Sequence, residues 1–325
     1  SASIHAGSSG GPIMNNSMRN LKMKKLLLAS TALVATAGMA AADVTVSGHA
    51  AAGYHSDLDA AGSTASSATD TGIYSNVGVD FAMAGATDNG LTFGATLNID
   101  AGTEIDQGNF EFDGNDGGTA GLGSVTVSGA FGTLTFDNNG IDNLYNADHD
   151  DHDVKFAGTV NGIAVAITAD ADDSVDGTTG DATDADMSAS ASYTSGAMTY
   201  ALAVSNHEAD GMATNLKVTY VVNDMLTVSA SNDTESTAGS DAVTKVAATI
   251  VTNGLTIGLS SDNSASGGDW DVDLGYSLSG VALAYGTDEN DAWAATASKS
   301  LGGGATAQAG INWEDSVYAG ISFAF

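Results

Sequence analysis

The sequence has no cysteine and a single proline, Pro12. Without cysteine, neither a disulfide framework nor a thiolate metal site is available. The scarcity of proline fits uninterrupted β-strand ladders, because proline cannot donate a hydrogen bond to them. After Asp43 no apolar run approaches the roughly twenty residues that a transmembrane helix needs. If the chain crosses a membrane beyond that point, it must therefore cross with strands.

Positive charge is also scarce, with 8 Lys and Arg residues against 40 Asp and Glu. Arg19, Lys22, Lys24 and Lys25 precede residue 43, so the rest of the chain keeps four lysines, no arginine and a net charge of −36. Such a surface is a poor partner for nucleic acid and for anionic lipid headgroups. An acidic chain with only 6% aromatic residues is sometimes disordered, but the 43% hydrophobic content and the periodicity described below argue against disorder.

The segment M-K-K-L-L-L-A-S-T-A-L-V-A-T-A-G-M-A-A-A at residues 23–42 has two lysines, an apolar run and small residues before Asp43. This order predicts a secretory signal peptide that is removed before Asp43. A membrane-anchor helix is the alternative, but the apolar run from Leu26 to Val34 is too short to span a bilayer. Residues 1–22 lack periodicity and are predicted to be a non-native upstream extension, which leaves residues 43–325 as the mature domain.

An alternation of period two dominates the mature domain and predicts an all-β fold. In W-D-V-D-L-G-Y-S-L-S at residues 270–279 the apolar and polar residues fall on opposite faces. The same alternation continues to the last residue of V-Y-A-G-I-S-F-A-F at 317–325. Chain ends are usually polar and frayed, so a terminal aromatic residue requires a particular environment.

The connections between these segments alternate between short and long. Short ones with turn residues are expected at 86–90, 160–162, 194–196, 222–224, 252–254, 278–280 and 301–304. Long loops rich in Asp, Ser, Gly and Thr are expected at 56–71, 102–120, 138–151, 170–185, 206–212, 232–241 and 260–269. This pattern predicts one rim of short turns and one rim of long acidic loops.

A soluble β-sandwich also alternates, so an exported acidic surface-layer or adhesin-type protein is the alternative interpretation. The difference in loop length favours a membrane barrel. The terminal aromatic strand also favours it, because a barrel must pair its last strand with its first. Aromatic residues near strand ends are typical of the girdles at lipid interfaces, and Tyr54, Tyr74, Tyr193, Tyr200, Tyr220, Trp293 and Tyr318 are the candidates.

Four stretches resemble the general-diffusion porins of bacterial outer membranes, specifically the alphaproteobacterial type. They are residues 23–48, G-A-F-G-T-L-T-F at 129–136, S-L-G-G-G-A-T-A-Q-A-G at 300–310 and the closing A-G-I-S-F-A-F. The resemblance implies a transmembrane antiparallel β-barrel of sixteen strands, usually a homotrimer, in the outer-membrane lipid. Our hairpin count is nearer eighteen, but we retain about sixteen strands as the expectation, with eighteen not excluded.

The resemblance further implies an inward-folded constriction loop, the third long loop, which follows the G-x-F-G-T-L strand. Residues 137–153 are the candidate, with the acids Asp137, Asp142, Asp148, Asp150, Asp151 and Asp153. The terminal strand would serve as the signal that the outer-membrane assembly machinery reads, through Ile321, Phe323 and Phe325.

The sequence departs from the family in its missing arginine cluster. Residue parity along the strands predicts which charged side chains face the lumen: Asp80, Asp100, Lys155, Lys217, Lys245, Asp271 and Asp273. Whether three lysines replace the arginines is left open. Lys299, in phase with Trp293 and Leu301, is expected at a rim on the other face.

Neither a catalytic nor a firm metal motif is present in the sequence. A nucleophile elbow, a Ser/His/Asp constellation, a phosphate loop and a zincin motif are all missing, so no enzymatic activity is expected. No cofactor is expected except a structural calcium ion at Asp170, Asp172 and Asp173, for which the competing interpretation is a solvated acidic loop. Zinc at His149 and His152 lacks a third ligand. The sequence therefore predicts a passive, cation-selective, water-filled channel for small hydrophilic solutes.

Overall fold

A computed structural model describes residues 31–32, 43–60, 70–108, 110–145, 152–171, 187–206, 212–234, 242–264 and 268–325. None of these residues belongs to a helix that is long and apolar enough to cross a membrane. The predicted upstream extension and signal peptide lie outside the described residues, apart from Thr31–Ala32, which pairs with Val46 and Thr45. The division of the chain before Asp43 stays a prediction.

Eighteen strands follow one another in the described part of residues 43–325. They are β1 Asp43–Ala60, β2 Asp70–Ala86, β3 Thr92–Asp106, β4 Glu111–Gly129, β5 Gly132–Ile141, β6 His152–Val160, β7 Ile163–Ala169, β8 Met187–Ser195, β9 Met198–Ser205, β10 Ala213–Asn223, β11 Leu226–Thr234, β12 Val243–Thr252, β13 Leu255–Asp262, β14 Asp269–Leu278, β15 Val281–Asp288, β16 Trp293–Gly302, β17 Ala305–Asn312 and β18 Val317–Ala324.

Each strand pairs antiparallel with the next, and β18 returns to pair with β1. At this closure Tyr318 lies opposite His55 and Phe323 opposite Ala50. The amide of Phe325 donates to the carbonyl of Gly48 at 2.8 Å, and the amide of Gly48 donates back at 3.2 Å. The ring of strands is thus closed, and the prediction of an antiparallel β-barrel is confirmed. Its strand number is eighteen, as in the hairpin count, and not the sixteen that the resemblance implied.

Short turns occupy one rim of the barrel, as the sequence predicted. Asn161 and Gly162 both have positive φ, 51° and 82°, which is the backbone that a two-residue hairpin turn requires. Because eighteen is an even number, β1 begins and β18 ends at this same rim. The opposite rim has the longer connections, but the prediction of a long loop at 102–120 is wrong, since β3 and β4 occupy most of that stretch and residues 107–110 alone connect them.

The two faces of the barrel wall differ in burial, and the cross-strand register assigns each residue to one face. One face carries six of the side chains that are at most 2% exposed: His55, Tyr74, Thr168, Ser188, Ser205 and Tyr318. The other face carries large apolar side chains that are exposed, such as Ile73 with an exposed fraction of 73% and Leu216 with 52%. We refer to them as the inner and outer faces. An apolar outer face on a closed barrel is the arrangement that a lipid environment stabilises.

Aromatic residues on the outer face lie near both rims, as lipid-interface girdles do. Tyr193, Tyr200 and Tyr220 lie close to the short turns, and Tyr285 stacks on Trp293 near the long loops with 6.4 Å between ring centroids. Tyr54 also lies on the outer face and is 45% exposed. The inclusion of Tyr74 and Tyr318 among the girdle residues is wrong. Both face inward and are buried at 0% and 2% exposure, because a segment of the chain packs on them from inside.

Candidate functional site

Among the described residues, two segments of the chain enter the barrel, and the first is the end of the hairpin formed by β3 and β4. The pairing of β3 with β2 stops at Gly102, which lies opposite Asn76. Gly102 has a φ of 107°, and a Cβ atom there would overlap the carbonyl oxygen of Ser75, so this position requires glycine. Beyond it, the Ser75 amide donates to Thr103 Oγ1 at 3.2 Å. The chain therefore leaves the wall at Gly102, and we call residues 103–112 the inward hairpin.

The inward hairpin is anchored on the inner face by an apolar cluster. The ring of Phe110 lies 5.3 Å from the ring of Tyr318, measured between centroids. The cluster comprises Leu58, Tyr74, Ile105, Phe110, Ala294 and Tyr318, none more than 6% exposed. Burial of apolar side chains at about 25 cal/mol per Å² is sufficient to hold such a segment against the wall of a hydrated interior.

Sequence reasoning missed the inward hairpin because residues 102–120 are rich in Gly and Asp and resemble a solvated loop. The available signal was the pair Ile105 and Phe110, two large apolar residues within an otherwise polar stretch. An outer loop has no reason to carry them, whereas a segment that packs on a wall does.

The second segment that enters the barrel follows β5. Asn143 is 3% exposed and donates through Nδ2 to Ser205 Oγ at 2.7 Å. The amide of Leu144 donates to Ser188 Oγ at 2.8 Å, and the hydroxyl of Tyr145 donates to Asp233. These partners lie on the inner faces of β9, β8 and β11, so residues 142–145 reach away from β5 across the interior. This is the described part of the loop that the family resemblance assigned to the constriction.

The predicted acids of that loop are not all described. Asp137 is half-buried beside Gly140, and Asp142 is exposed. Asp153 accepts a hydrogen bond from the amide of Ala171 at 2.9 Å, at the rim with the long loops. Asp148, Asp150 and Asp151 lie outside the described residues. The role of these acids at a constriction stays a prediction.

The cross-strand register places a set of charged residues on the inner face, the face that carries Tyr74 and Tyr318. The set consists of Asp80, Asp100, Lys155, Lys217, Lys245, Asp271 and Asp273. These are the residues that parity assigned to the lumen. What they do to a permeating solute stays a prediction.

Two of the three inner lysines differ in their surroundings. Lys245 Nζ lies 3.5 Å from a carboxylate oxygen of Asp271 and 3.9 Å from one of Asp262, so much of its charge is compensated locally. Lys217 on β10 is exposed and lies between Ala201 and Ser231 in the register. In an eighteen-stranded ring β10 is nearly opposite β2 and β3, which carry Asp80 and Asp100. Negative and positive charge thus face each other across the interior.

His49 on β1 is an inner-face residue that the sequence did not single out. Its Nε2 lies 3.4 Å from Asp100 Oδ1, and its Nδ1 lies 3.9 Å from Asp80 Oδ2. His49 and Asp100 meet over Gly78 of the intervening strand, where a Cβ atom would overlap both side chains. Asn98 donates to the other oxygen of Asp100 at 2.8 Å. This arrangement holds the Asp100 carboxylate in place on the wall.

Within the described ranges no group of three or more His, Asp or Glu residues is arranged to hold a metal ion, and Asp172, Asp173 and His149 fall outside those ranges. Of the three proposed calcium ligands only Asp170 is described, so the calcium site stays a prediction.

Ile321, Phe323 and Phe325 lie on the outer face at 38%, 39% and 63% exposure. The rings of Phe323 and Phe325 are stacked, 6.4 Å apart between centroids, and their role in assembly stays a prediction.

Comparison with known proteins gives one family and one fold. The family model described as Gram-negative porin matches residues 29–265. Among curated protein sequences no match was found. Among solved structures, a triple mutant of the Rhodopseudomonas blastica porin matches with a TM-score of 0.51 at 13% identity, covering 87% of this chain and 100% of that chain. A mutant of the same porin with five substitutions matches with the same TM-score, identity and coverage.

The structural likeness at this low identity concerns the fold alone, whereas the family model covers most of the chain in sequence. Both agree with the closed antiparallel barrel described above. They do not favour the alternative of a soluble surface-layer or adhesin-type protein. The chain belongs to the family of Gram-negative porins, which form channels through the bacterial outer membrane.

Proposed function

We propose that this porin is a passive, cation-selective channel for small hydrophilic solutes. The observation that carries the proposal is the charge on the inner face, where Asp80, Asp100, Asp271 and Asp273 line the wall and Asp271 compensates Lys245. The same excess of negative charge holds for residues 43–325 as a whole, which carry a net charge of −36. Fixed negative charge along a narrow aqueous path raises the local concentration of cations and lowers that of anions.

The constriction would be formed jointly by residues 142–145 and the inward hairpin. Both extend from the wall into the interior, and each is held by contacts to inner-face residues far away in the sequence. A loop held at several points narrows a pore at a fixed place, so solutes are sorted by size and by charge and not by a conformational change.

The reversal potential of the purified protein in a planar bilayer, measured under a gradient of KCl, tests this function. We expect a sign that indicates preference for potassium. A preference for chloride would contradict cation selectivity, and a protein that inserts without any stepwise conductance would contradict the channel itself. The bias should weaken at high salt, because the screening length falls from about 8 Å at physiological ionic strength to about 3 Å at 1 M.

Several further properties are part of the proposal. The protein would assemble as a homotrimer in outer-membrane lipid, with its terminal strand read by the outer-membrane assembly machinery. It would act without catalysis and without a cofactor, apart from a calcium ion at the loop of Asp170, Asp172 and Asp173 if that loop binds one. Nucleic acid is not expected as a partner, because the chain is strongly acidic.

A further inference from the structure

The outer face of one arc of the barrel carries a single charged side chain. The arc consists of β14–β18, which all lie within the described range 268–325, and the charged residue is Lys299 on β16. Its partners across the sheet are Val281 on β15 and Ala307 on β17. Lys299 is exposed, and these two short neighbours leave its ammonium group accessible. One cation therefore lies in a wall that otherwise presents apolar and neutral side chains.

The charge of Lys299 is not compensated by the described part of the chain. Lys245 pairs with Asp271 at 3.5 Å, whereas no carboxylate of the described residues forms an ion pair with Lys299. The nearest turns, at residues 279–280 and 302–304, contain only serine and glycine. The terminal carboxylate of Phe325 follows β18, two strands away, which is about 10 Å or more across the sheet. An anion that neutralises Lys299 therefore comes from its surroundings.

The depth of Lys299 in the wall indicates what those surroundings are. Gly302, the last residue of β16, lies three residues further along the strand, which is about 10 Å. With the tilt of about 40° that strands of membrane barrels have, this is about 8 Å along the membrane normal. A lysine at this depth lays its alkyl stem along the apolar surface and extends its ammonium group to the lipid headgroups. Because short turns face the periplasm in outer-membrane barrels, these headgroups belong to the periplasmic leaflet.

We propose that Lys299 binds an anionic phospholipid with a headgroup of the phosphatidylglycerol type. The ammonium group has three N–H donors, and the phosphodiester accepts them in charge-assisted hydrogen bonds. A zwitterionic headgroup such as phosphatidylethanolamine binds less well, because its own ammonium group competes for the phosphate. The acyl chains of the lipid pack on the neighbouring outer-face residues, among them Val281 and Ala307.

The acidic composition of the chain does not oppose this site. The acids of the nearby wall, Asp271 and Asp273, lie on the inner face, whereas Lys299 lies on the outer face of the same sheet. Negative charge therefore faces the lumen, and the local charge at the lipid-facing surface is positive.

The experiment uses the purified barrel in mixed micelles that contain equal amounts of phosphatidylglycerol and phosphatidylcholine. Native mass spectrometry counts the molecules of each lipid that the protein retains. We expect the wild type to retain phosphatidylglycerol in preference to phosphatidylcholine. The attraction of one lysine to anionic headgroups corresponds to about a fivefold change in binding, so Lys299→Gln should lower this preference about fivefold. Lys299→Arg keeps the charge and should retain phosphatidylglycerol as the wild type does.

Lys217→Gln is the matched control, because it removes the same charge from an exposed residue of the inner face. It should leave the lipid preference unchanged. Equal preference in the wild type and Lys299→Gln would overturn the proposed site, and so would an equal loss in Lys217→Gln or a wild type without preference. The heat-induced mobility change on a gel shows that each variant is folded. No current is measured, so failure of this site and failure of the channel function are distinguishable.

Discussion

Phe110 and Tyr318 lie ring to ring inside the barrel, with 5.3 Å between centroids and an interplanar angle of 53°. One belongs to the tip of the inward hairpin and the other to the last strand of the wall. Tilted aromatic pairs of this kind are stabilising beyond the area they bury. This contact attaches the tip of the inward hairpin to the wall and so fixes the position of the hairpin in the interior.

The first prediction concerns this contact. Phe110→Ala removes the largest side chain that the hairpin contributes to its anchor, and substitutions of this type in a core cost about 3 kcal/mol or more. We expect the hairpin to leave the wall part of the time, so that single-channel current becomes larger and noisier. Phe131→Ala is the control, since Phe131 lies in a short turn and is 48% exposed. Identical currents for both variants would contradict the anchoring role.

The second prediction concerns Gly102. Gly102→Ala places a side chain at a φ of 107° and against the Ser75 carbonyl, which costs about 1–3 kcal/mol of backbone strain. We expect a lower temperature for the heat-induced mobility change of the barrel on a gel, together with a disturbed current. Gly275→Ala should be tolerated, because the nearest atom to an added Cβ there is Thr256 Cβ at 3.7 Å. If Gly102→Ala behaves like Gly275→Ala, the chain does not turn inward at this glycine.

The third prediction separates the inner face from the outer face by one pair of lysines. Lys217 and Lys299 are both exposed, but the register puts Lys217 on the inner face and Lys299 opposite Val281 and Ala307 on the outer face. A unit charge about 8 Å from an ion in water is worth about 0.5 kcal/mol. Because this energy has opposite signs for potassium and chloride, Lys217→Gln should raise the ratio of potassium to chloride permeability about fivefold, as read from the reversal potential. Lys299→Gln should leave that ratio where it is, and a shift of equal size would show that the faces are misassigned.

The fourth prediction concerns the terminal aromatic residue. If Phe325 is part of an assembly signal, Phe325→Ala should lower the amount of protein in the outer-membrane fraction several-fold. Phe93→Ala removes a comparable ring from the outer face near the same rim, where Phe93 is 44% exposed. It should reach the membrane at wild-type levels. Equal losses for both variants would indicate that the ring is needed for lipid contact in general and not for recognition.

The barrel wall could be predicted from the sequence because the alternation of apolar and polar residues within a strand assigns each residue to one face of the sheet. In β14 the apolar residues Trp270, Val272 and Leu274 alternate with Asp271 and Asp273, and a closed sheet has only one way to satisfy both faces. The positive φ of Asn161 and Gly162 likewise follows from local chemistry. Such features depend on neighbours in the chain, and the structure agrees with them.

The interior could not be predicted to the same extent, because its contacts join residues that are distant in sequence. Nothing near Phe110 indicates that Tyr318 will lie beside it, and nothing near His49 indicates Asp100. The sequence placed Tyr318 among the lipid-interface aromatic residues, and nothing near it indicated that the inward hairpin would bury it on the inner face. Interior contacts are decided by where β3 leaves the wall, and a single glycine with positive φ sets that point.

The closure of the barrel also has a consequence for the order of events in biogenesis. The hydrogen bonds between Gly48 and Phe325 join the first strand to the final residue of the chain. Such long-range pairings form slowly, because the conformational entropy of a large loop is lost before the paired strands gain stabilising contacts. Until β18 has been made, the edge of β1 that pairs with it is exposed together with its apolar side chains. An unpaired apolar edge of this kind is prone to aggregation until β18 pairs with it.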